Sequence, residues 1–282
     1  MRLVWVQPTD LRSQPPSATS RDRAGADVAA VTLGRRRNGV RRMTHKLNAA
    51  PLPVRIIAIA ITVVVLLTFI NLGYHMVRKP TELFSLVGGE LNKAPAETWR
   101  QYGPLFREYS TAAVTPEVLA ALAQVEGAGN PVARTYWRWP LSWNPLALYQ
   151  PASSGVGMFQ MTDAAFAEAR GFCIRDHVVV ENPCWFTWLY TRMLPSHAIE
   201  LSAVYLDRNI AGILAGRPKI TAKHMQEIAA FSHLCGAAAA KTFAQRGFRT
   251  IAGEHCGDHD VASYLARVNA VQQVFIRIAA DL

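Results

Sequence analysis

The sequence predicts a mainly α-helical domain preceded by a single transmembrane helix, and three features predict it. A charge-free run, IIAIAITVVVLLTFI, covers residues 56–70. Beyond it, apolar residues recur mostly at helical spacing, and Val178-Val179-Val180 is the one clear strand pattern. Half of the 282 residues are apolar and 18% are charged, which supports a packed core and excludes wholesale disorder.

The formal charge of +10 is local. Residues 1–50 hold ten Lys/Arg against three Asp/Glu, and Arg55, Arg78 and Lys79 flank the apolar run. From residue 81 onward, 17 basic residues face 17 acidic ones, so the exported part is neutral and a nucleic-acid partner is not expected. Residues 1–50 read as a disordered basic tail rich in Arg, Ser and Pro. Met43 opens a compact start, MTHKLNAAPLPVR, so translation from Met43 is an alternative to Met1.

The apolar run continues through Asn71-Leu-Gly-Tyr74, and about 20 residues cross a hydrocarbon core of about 30 Å. A buried core helix and a cleaved secretory signal are the rival readings. The residues that follow, NLGYHMVRKP, offer no small-x-small cleavage site, so residues 54–74 read as an uncleaved signal anchor. Seven cations between Arg35 and Arg55 precede it, and only Arg78 and Lys79 follow closely. The positive-inside bias therefore keeps the N-terminus cytoplasmic and exports the rest. All four cysteines, Cys173, Cys184, Cys235 and Cys256, lie on the exported side, which favours disulfides. Of three connectivities the neighbouring pairs, 173 with 184 and 235 with 256, are preferred. His233, His255 and His259 have ligand-like spacing around Cys235 and Cys256, and zinc is the alternative.

Residues 75–112 read as a stalk and approach segment, with short helices on either side of Gly103-Pro104 burying Trp99, Tyr102 and Phe106. Thr115-Pro116 is an N-cap followed by proline at the first helical position. Val118, Leu119, Leu122 and Val125 give the helix an apolar face, and Gly127 and Gly129 end it. Further helices are expected at 163–170, 183–194, 196–214, 221–246 and 259–280. Glu126 falls on or beside the apolar face, seven residues after Leu119. Partial desolvation there favours a protonated carboxyl, which can donate to a leaving oxygen. A solvated boundary Glu is the plainer alternative.

The residues after Glu126 add a pattern. EGAGNPVA, then SSGVGMFQMT, resemble the signature of lytic transglycosylases of the goose-lysozyme-like superfamily: a Glu ending a helix, Asn-Pro-x-Ala, then Ser, Gly and Gly-(apolar)₂-Gln. The matching positions are Glu126, Asn130-Pro131-Val132-Ala133, Ser153 or Ser154, Gly155, Gly157, Met158, Phe159 and Gln160. The resemblance covers roughly residues 113–275. The tract AFSHLCGAAAAKTF (230–243) is a weaker counterpart of the family's Tyr-Asn turn, with Phe231 and Ser232 where Tyr and Asn are usual, and His233 as a substitute. SYLARVNAV (263–271) also sits where the family has a comparable segment. A long insertion carrying Tyr136, Trp137, Trp139 and Trp143 separates the two motifs, and Asn144-Pro145-Leu146-Ala147 is a second match for the first.

The resemblance implies a lysozyme-like fold over 113–282 and cleavage of the MurNAc-β-1,4-GlcNAc bond, with a 1,6-anhydro product and no cofactor or metal. Glu126 would be the catalytic residue. Tyr149, Ser154, Gly157, Met158, Phe159, Gln160, Phe231 and His233 would bind the glycan. The insertion's aromatics could stack on sugar rings or fill a small second core. Peptidoglycan strands and the inner membrane are the implied partners, with the catalytic domain periplasmic; an envelope or secretion apparatus is a further candidate. A hydrolysing muramidase of the same fold, or a decayed glycan-binding scaffold, are the alternatives.

Overall fold

The computed structural model describes residues 51–84, 88–147, 149–181, 184, 186–215 and 220–281. The expected basic tail, with its alternative start at Met43, and the Gly216 helix stop lie outside them. The chain divides into two compact units, 1–66 and 67–282. Within the first, the described residues belong to the start of α1 (Leu52–Arg78), which continues into the second. An 18-residue window of α1 has mean hydropathy 2.6, and the helix is long and apolar enough to cross a membrane. Its Ile, Leu and Val side chains are exposed along the run, and Thr62 turns its hydroxyl back onto the Ala58 carbonyl at 2.8 Å. Such back-bonding satisfies a hydroxyl where no water is at hand.

The second unit is mainly helical. After two 3₁₀ turns come α2 (Pro95–Glu108) and α3 (Pro116–Gly127), then α4 (Asp163–Ala169), α5 (Pro195–Leu214), α6 (Ala222–Cys235), α7 (Ala237–Gln245) and α8 (Val261–Ala280). Three two-stranded hairpins lie between them: β1 (Trp137–Arg138) with β2 (Gln150–Pro151), β3 (Cys173–Arg175) with β4 (Val178–Val180), and β5 (His255–Cys256) with β6 (His259–Asp260).

α3 is the central helix. Thr115 caps it by accepting from the Val118 amide, with Pro116 in the first turn. Residues 118–123 are buried all round, beyond the single apolar face expected from the spacing. Three alanines among them let α8 and α2 pack closely, and α8 is its main neighbour. The chain leaves α3 through Ala128 at φ 49, whose amide bonds back to Gln124.

Four expectations are corrected. The approach segment holds one helix, α2, with Pro104 inside it, rather than two short ones. An interior proline costs about 3 kcal/mol, and burial of Trp99, Tyr102 and Phe106 in the shared core offsets it. Residues 95–108 are therefore part of the core, not a stalk. Among the described residues of 183–194 there is no α-helix, only a 3₁₀ turn, Thr187–Leu189. Aromatic and β-branched residues dominate that stretch, Cys184 is tied back to Cys173, and Leu194 is extended before Pro195. The single helix expected at 221–246 is two, broken where Gly236 adopts φ 81. The valine strand forms as read, but its partner Cys173–Arg175 and the other two hairpins are additional. Asp176 and His177, at φ 48 and 63, make the tight turn between β3 and β4.

The four cysteines pair as 173–184 and 235–256, with Cα separations of 5.8 and 5.4 Å. Thiol titration under denaturing, non-reducing conditions is expected to find no free thiol. The bridges join residues 11 and 21 apart. Such loops contribute about 3 kcal/mol each. Reduction should therefore lower the denaturant midpoint markedly, and an unchanged midpoint would contradict both bridges.

Candidate active site

Three helix ends converge on one carboxylate. α3 delivers Glu126 in its last turn, α6 delivers His233 in its last turn, and α8 delivers Tyr264 in its first. The Tyr264 hydroxyl donates to Glu126 Oε1 at 2.5 Å, and His233 Nε2 lies 3.7 Å from the same oxygen. The Glu126 side chain keeps 17% of its exposure and opens into a cleft of about 540 Å³. Gly88, Asn92, Gln124, Asn130 and Arg134 help line that cleft, and Glu126 is the one acid among its lining residues.

Local packing explains why Glu126 is held there. A Cβ on Gly127 would stand 2.8 Å from both Met158 Cα and Met158 O, so only glycine lets the two backbones meet. Gly129 sits at φ +64, and a Cβ there would approach Thr98 Oγ1 to 2.3 Å. Asn130, buried, donates to the Gly88 carbonyl and to Asn92 Oδ1 and accepts from the Val132 amide at 2.9 Å. Gln124 donates to the Lys93 carbonyl and accepts from Thr98. The last turn of α3 is thus fastened to residues 88–98. The Cys235–Cys256 bridge joins the end of α6 to the hairpin that leads into α8, so it holds the segments carrying His233 and Tyr264 together.

Burial and the adjoining carboxylate push the Tyr264 hydroxyl well above the usual tyrosine range, so it stays a neutral donor. Set against known proteins, the chain matches no family model, and no curated protein shows significant similarity to it. The site is therefore read from its own geometry.

Of the expected glycan-binding residues, His233 reaches Glu126. Gly157, at φ +76, lies so close to the Arg192 carbonyl that a Cβ would stand 2.2 Å from its oxygen. Gln160, at φ +46, uses its amide on the backbone, donating to the carbonyls of Ala133 (2.9 Å) and Gly157 (2.8 Å). Its Oε1 is buried without a partner. Both residues shape the turn behind Ala133, which lines the cleft.

The other expected residues are placed elsewhere. Met158 and Phe159 are fully buried in the core, and Phe231 stacks on Phe243 at 4.5 Å, also buried. None of the three is exposed to a ligand; they act through packing. Ser154 accepts from the Asp163 amide at 3.2 Å and lines a separate basic cavity. Tyr149 stacks on Trp139 at 4.4 Å and against Trp137, and it is not among the residues lining the cleft. Asp163, the nearest acid in sequence to the motif, pairs with Arg192 at 2.7 Å. Among the described residues, no group of three or more His, Cys, Asp and Glu is placed to hold a metal ion.

Tyr264 carried no role in the sequence reading. The available signal was its place on the buried face of α8 with Val268 and Phe275, since a buried tyrosine hydroxyl needs an acceptor. A buried carboxylate, Glu200, was also missed. It accepts from the Ile174 amide at 2.9 Å and the Tyr190 hydroxyl at 2.8 Å, beneath the hairpin closed by Cys173 and Cys184.

Tyr264→Phe removes only the hydroxyl. Loss of one hydrogen bond costs about 0.5–1.5 kcal/mol net, and urea unfolding should show a loss of that order. An unchanged midpoint would mean the bond is not made. Alkaline pH offers an independent check. Burial raises Tyr109 to about 12 and also holds Tyr264 well above the usual tyrosine range, while the unfolded chain's tyrosines ionise near 10. The stability these groups contribute is complete below about pH 10 and falls as pH rises toward 12. Tyrosinate absorbance should therefore rise together with unfolding rather than before it.

Proposed function

We propose that the protein is a membrane-anchored lytic transglycosylase of the lysozyme-like fold, cleaving the MurNAc-β-1,4-GlcNAc bond of peptidoglycan and leaving a 1,6-anhydro end. The observation that carries this reading is a single carboxylate, Glu126, held by Tyr264 at the mouth of a cleft lined by no other acid. Hydrolases that use two carboxylates place them about 5–9.5 Å apart across the bond. A one-carboxylate cleft fits a reaction in which the same group acts twice.

In that reaction Glu126 gives its proton to the leaving GlcNAc oxygen as the C1–O bond breaks. The carboxylate then takes the proton of the muramic C6 hydroxyl, whose oxygen bonds to C1. No water is consumed, and Glu126 returns to its protonated form. Tyr264 binds Oε1, which leaves Oε2 to carry the transferred proton. The hydroxyl of Tyr264 stands at Glu126 where Phe231 offers none. For placement, α1 with its N-terminal excess of cations supports a cytoplasmic N-terminus, and two disulfides support a periplasmic domain.

Mass spectrometry of muropeptides released from purified wall by the full chain is expected to find 1,6-anhydro ends. Reducing ends alone would indicate a muramidase, and no release would indicate a scaffold. Glu126→Gln keeps shape but cannot donate or accept the proton. Release should fall by at least the roughly 10²–10⁴-fold of general acid–base catalysis, with circular dichroism unchanged. Near-normal release from a folded Glu126→Gln protein would end the assignment.

A further inference from the structure

Residues 136–147 present large apolar side chains to solvent. Trp139 is 74% exposed, and Leu141 and Trp143 are wholly exposed. The loop is nevertheless built, not slack. β1 pairs with β2 at its base, and Trp137 Nε1 donates to buried Glu82 at 2.7 Å. Its far end is fixed where His75 Nε2 donates to the Leu146 carbonyl at 2.9 Å. A monomeric soluble surface does not normally hold two tryptophans and a leucine out in water in a fixed loop.

The position of the fastening identifies what covers them. His75 lies in the last turn of α1, next to Tyr74, whose ring meets it edge-on at 5.2 Å. Residues 67–74 complete the apolar run of that helix. The loop is therefore tied to the helix where the chain leaves hydrocarbon for water, the level at which tryptophan rings are enriched.

Beside the loop is a cavity of about 280 Å³ lined by His75, Arg78, Lys79, Arg138 and Arg192, with Asp163 as its one acid. Asp163 is engaged by Arg192, and Lys79 by Glu82 at 3.6 Å. Arg78 bonds the Tyr74 hydroxyl, and neither it nor Arg138 has a carboxylate partner among the described residues. Uncompensated guanidinium groups at a membrane surface attract anionic headgroups and pair well with phosphate.

We propose that residues 136–147 are a membrane-docking loop: Trp139, Leu141 and Trp143 enter the interface of the leaflet from which α1 emerges, and the phosphate of an anionic phospholipid is held between Arg78 and Arg138. The proposal does not depend on what the Glu126 cleft cuts. Apolar side chains and unpaired cations side by side match a lipid in both its parts. A glycan strand, the other surface on which aromatic rings stack, supplies no phosphate and no hydrocarbon.

None of the seven tryptophans lies in α1, so quenching by lipid acyl chains does not report the spanning helix itself. The full chain is placed in nanodiscs of dibrominated phosphatidylcholine, with or without phosphatidylglycerol. Tryptophan emission is expected to be quenched, more strongly with phosphatidylglycerol. Trp139→Phe/Trp143→Phe should lose most of the quenchable emission, and because both rings are exposed the fold should survive by circular dichroism. Arg138→Glu should bring quenching in phosphatidylglycerol down to the phosphatidylcholine level. Absence of quenching, or full quenching in the double variant, overturns the docking loop. Equal quenching in the two lipids, or loss of the difference on adding inorganic phosphate, overturns the assignment of the cavity to a lipid headgroup.

Discussion

The contact between the last turn of α3 and the backbone of Met158 is the constraint on which the Glu126 region depends. Position 127 has no room for a Cβ, and position 157, one residue before Met158, has none either. Gly127 thus lets the exit of the central helix meet the turn 155–161, and Gly157 lets that turn meet the Arg192 carbonyl. That approach sets where Glu126 emerges and puts Ala133, hydrogen-bonded to Gln160, on the cleft wall. Met158 and Phe159 are buried because they form the far side of this contact. Their residue types matter to the site through volume and not through touch, since close-packed interiors transmit a change of even one methylene.

A second layer of positioning comes from the cross-links. Helix ends fray, and their last carbonyls and first amides lack intrahelical partners. Yet His233 and Tyr264 both sit at such ends. The Cys235–Cys256 bridge lies two residues beyond His233, and the short β5–β6 hairpin carries it directly into the N-cap of α8, where Asp260 accepts from Ser263 at 2.8 Å. The other bridge does the same for the β3–β4 hairpin above Glu200. Each disulfide closes a segment beside a carboxylate that accepts from a tyrosine hydroxyl.

Helix starts were legible because capping is local: Thr115-Pro116, Thr162 and Thr221 each name their own helix. The place of Glu126 at the end of α3 was legible from its spacing to Leu119 and from the glycines that stop the helix after it. Other features are decided by tertiary contact and left no local trace. Pro104 reads as a break, yet three aromatics buried on α2 outweigh it. Residues 186–194 have periodic apolar positions, but their backbone is drawn off by the Cys173–Cys184 bridge and by Pro195. The aromatic insertion was read as a sugar platform or a second core. Its rings do stack on one another at Trp137, Tyr149 and Trp139, while the exposure of Trp143 could be seen only once the loop had a place. Tyr264 was legible as a helix-face residue; its partner 138 positions away was not.

Residues 79–84 and 88–92 link these regions tightly. Lys79 and Glu82 are buried against Thr135, Arg134 and Trp137, at the base of the aromatic loop. Gly88 and Asn92 line the Glu126 cleft and bind Asn130. One short segment therefore leaves the end of α1, fastens the loop and then forms part of the cleft wall. Gly88 is ten residues beyond Arg78. A chain reaches at most about 3.6 Å per residue, so this wall of the cleft lies within about 36 Å of the helix end. If α1 spans the bilayer as proposed, the cleft cannot range freely through a wall mesh on a long tether. A cleft that cuts glycan strands as proposed would then reach only those that come close to the membrane surface, and any longer reach would have to be supplied by the glycan.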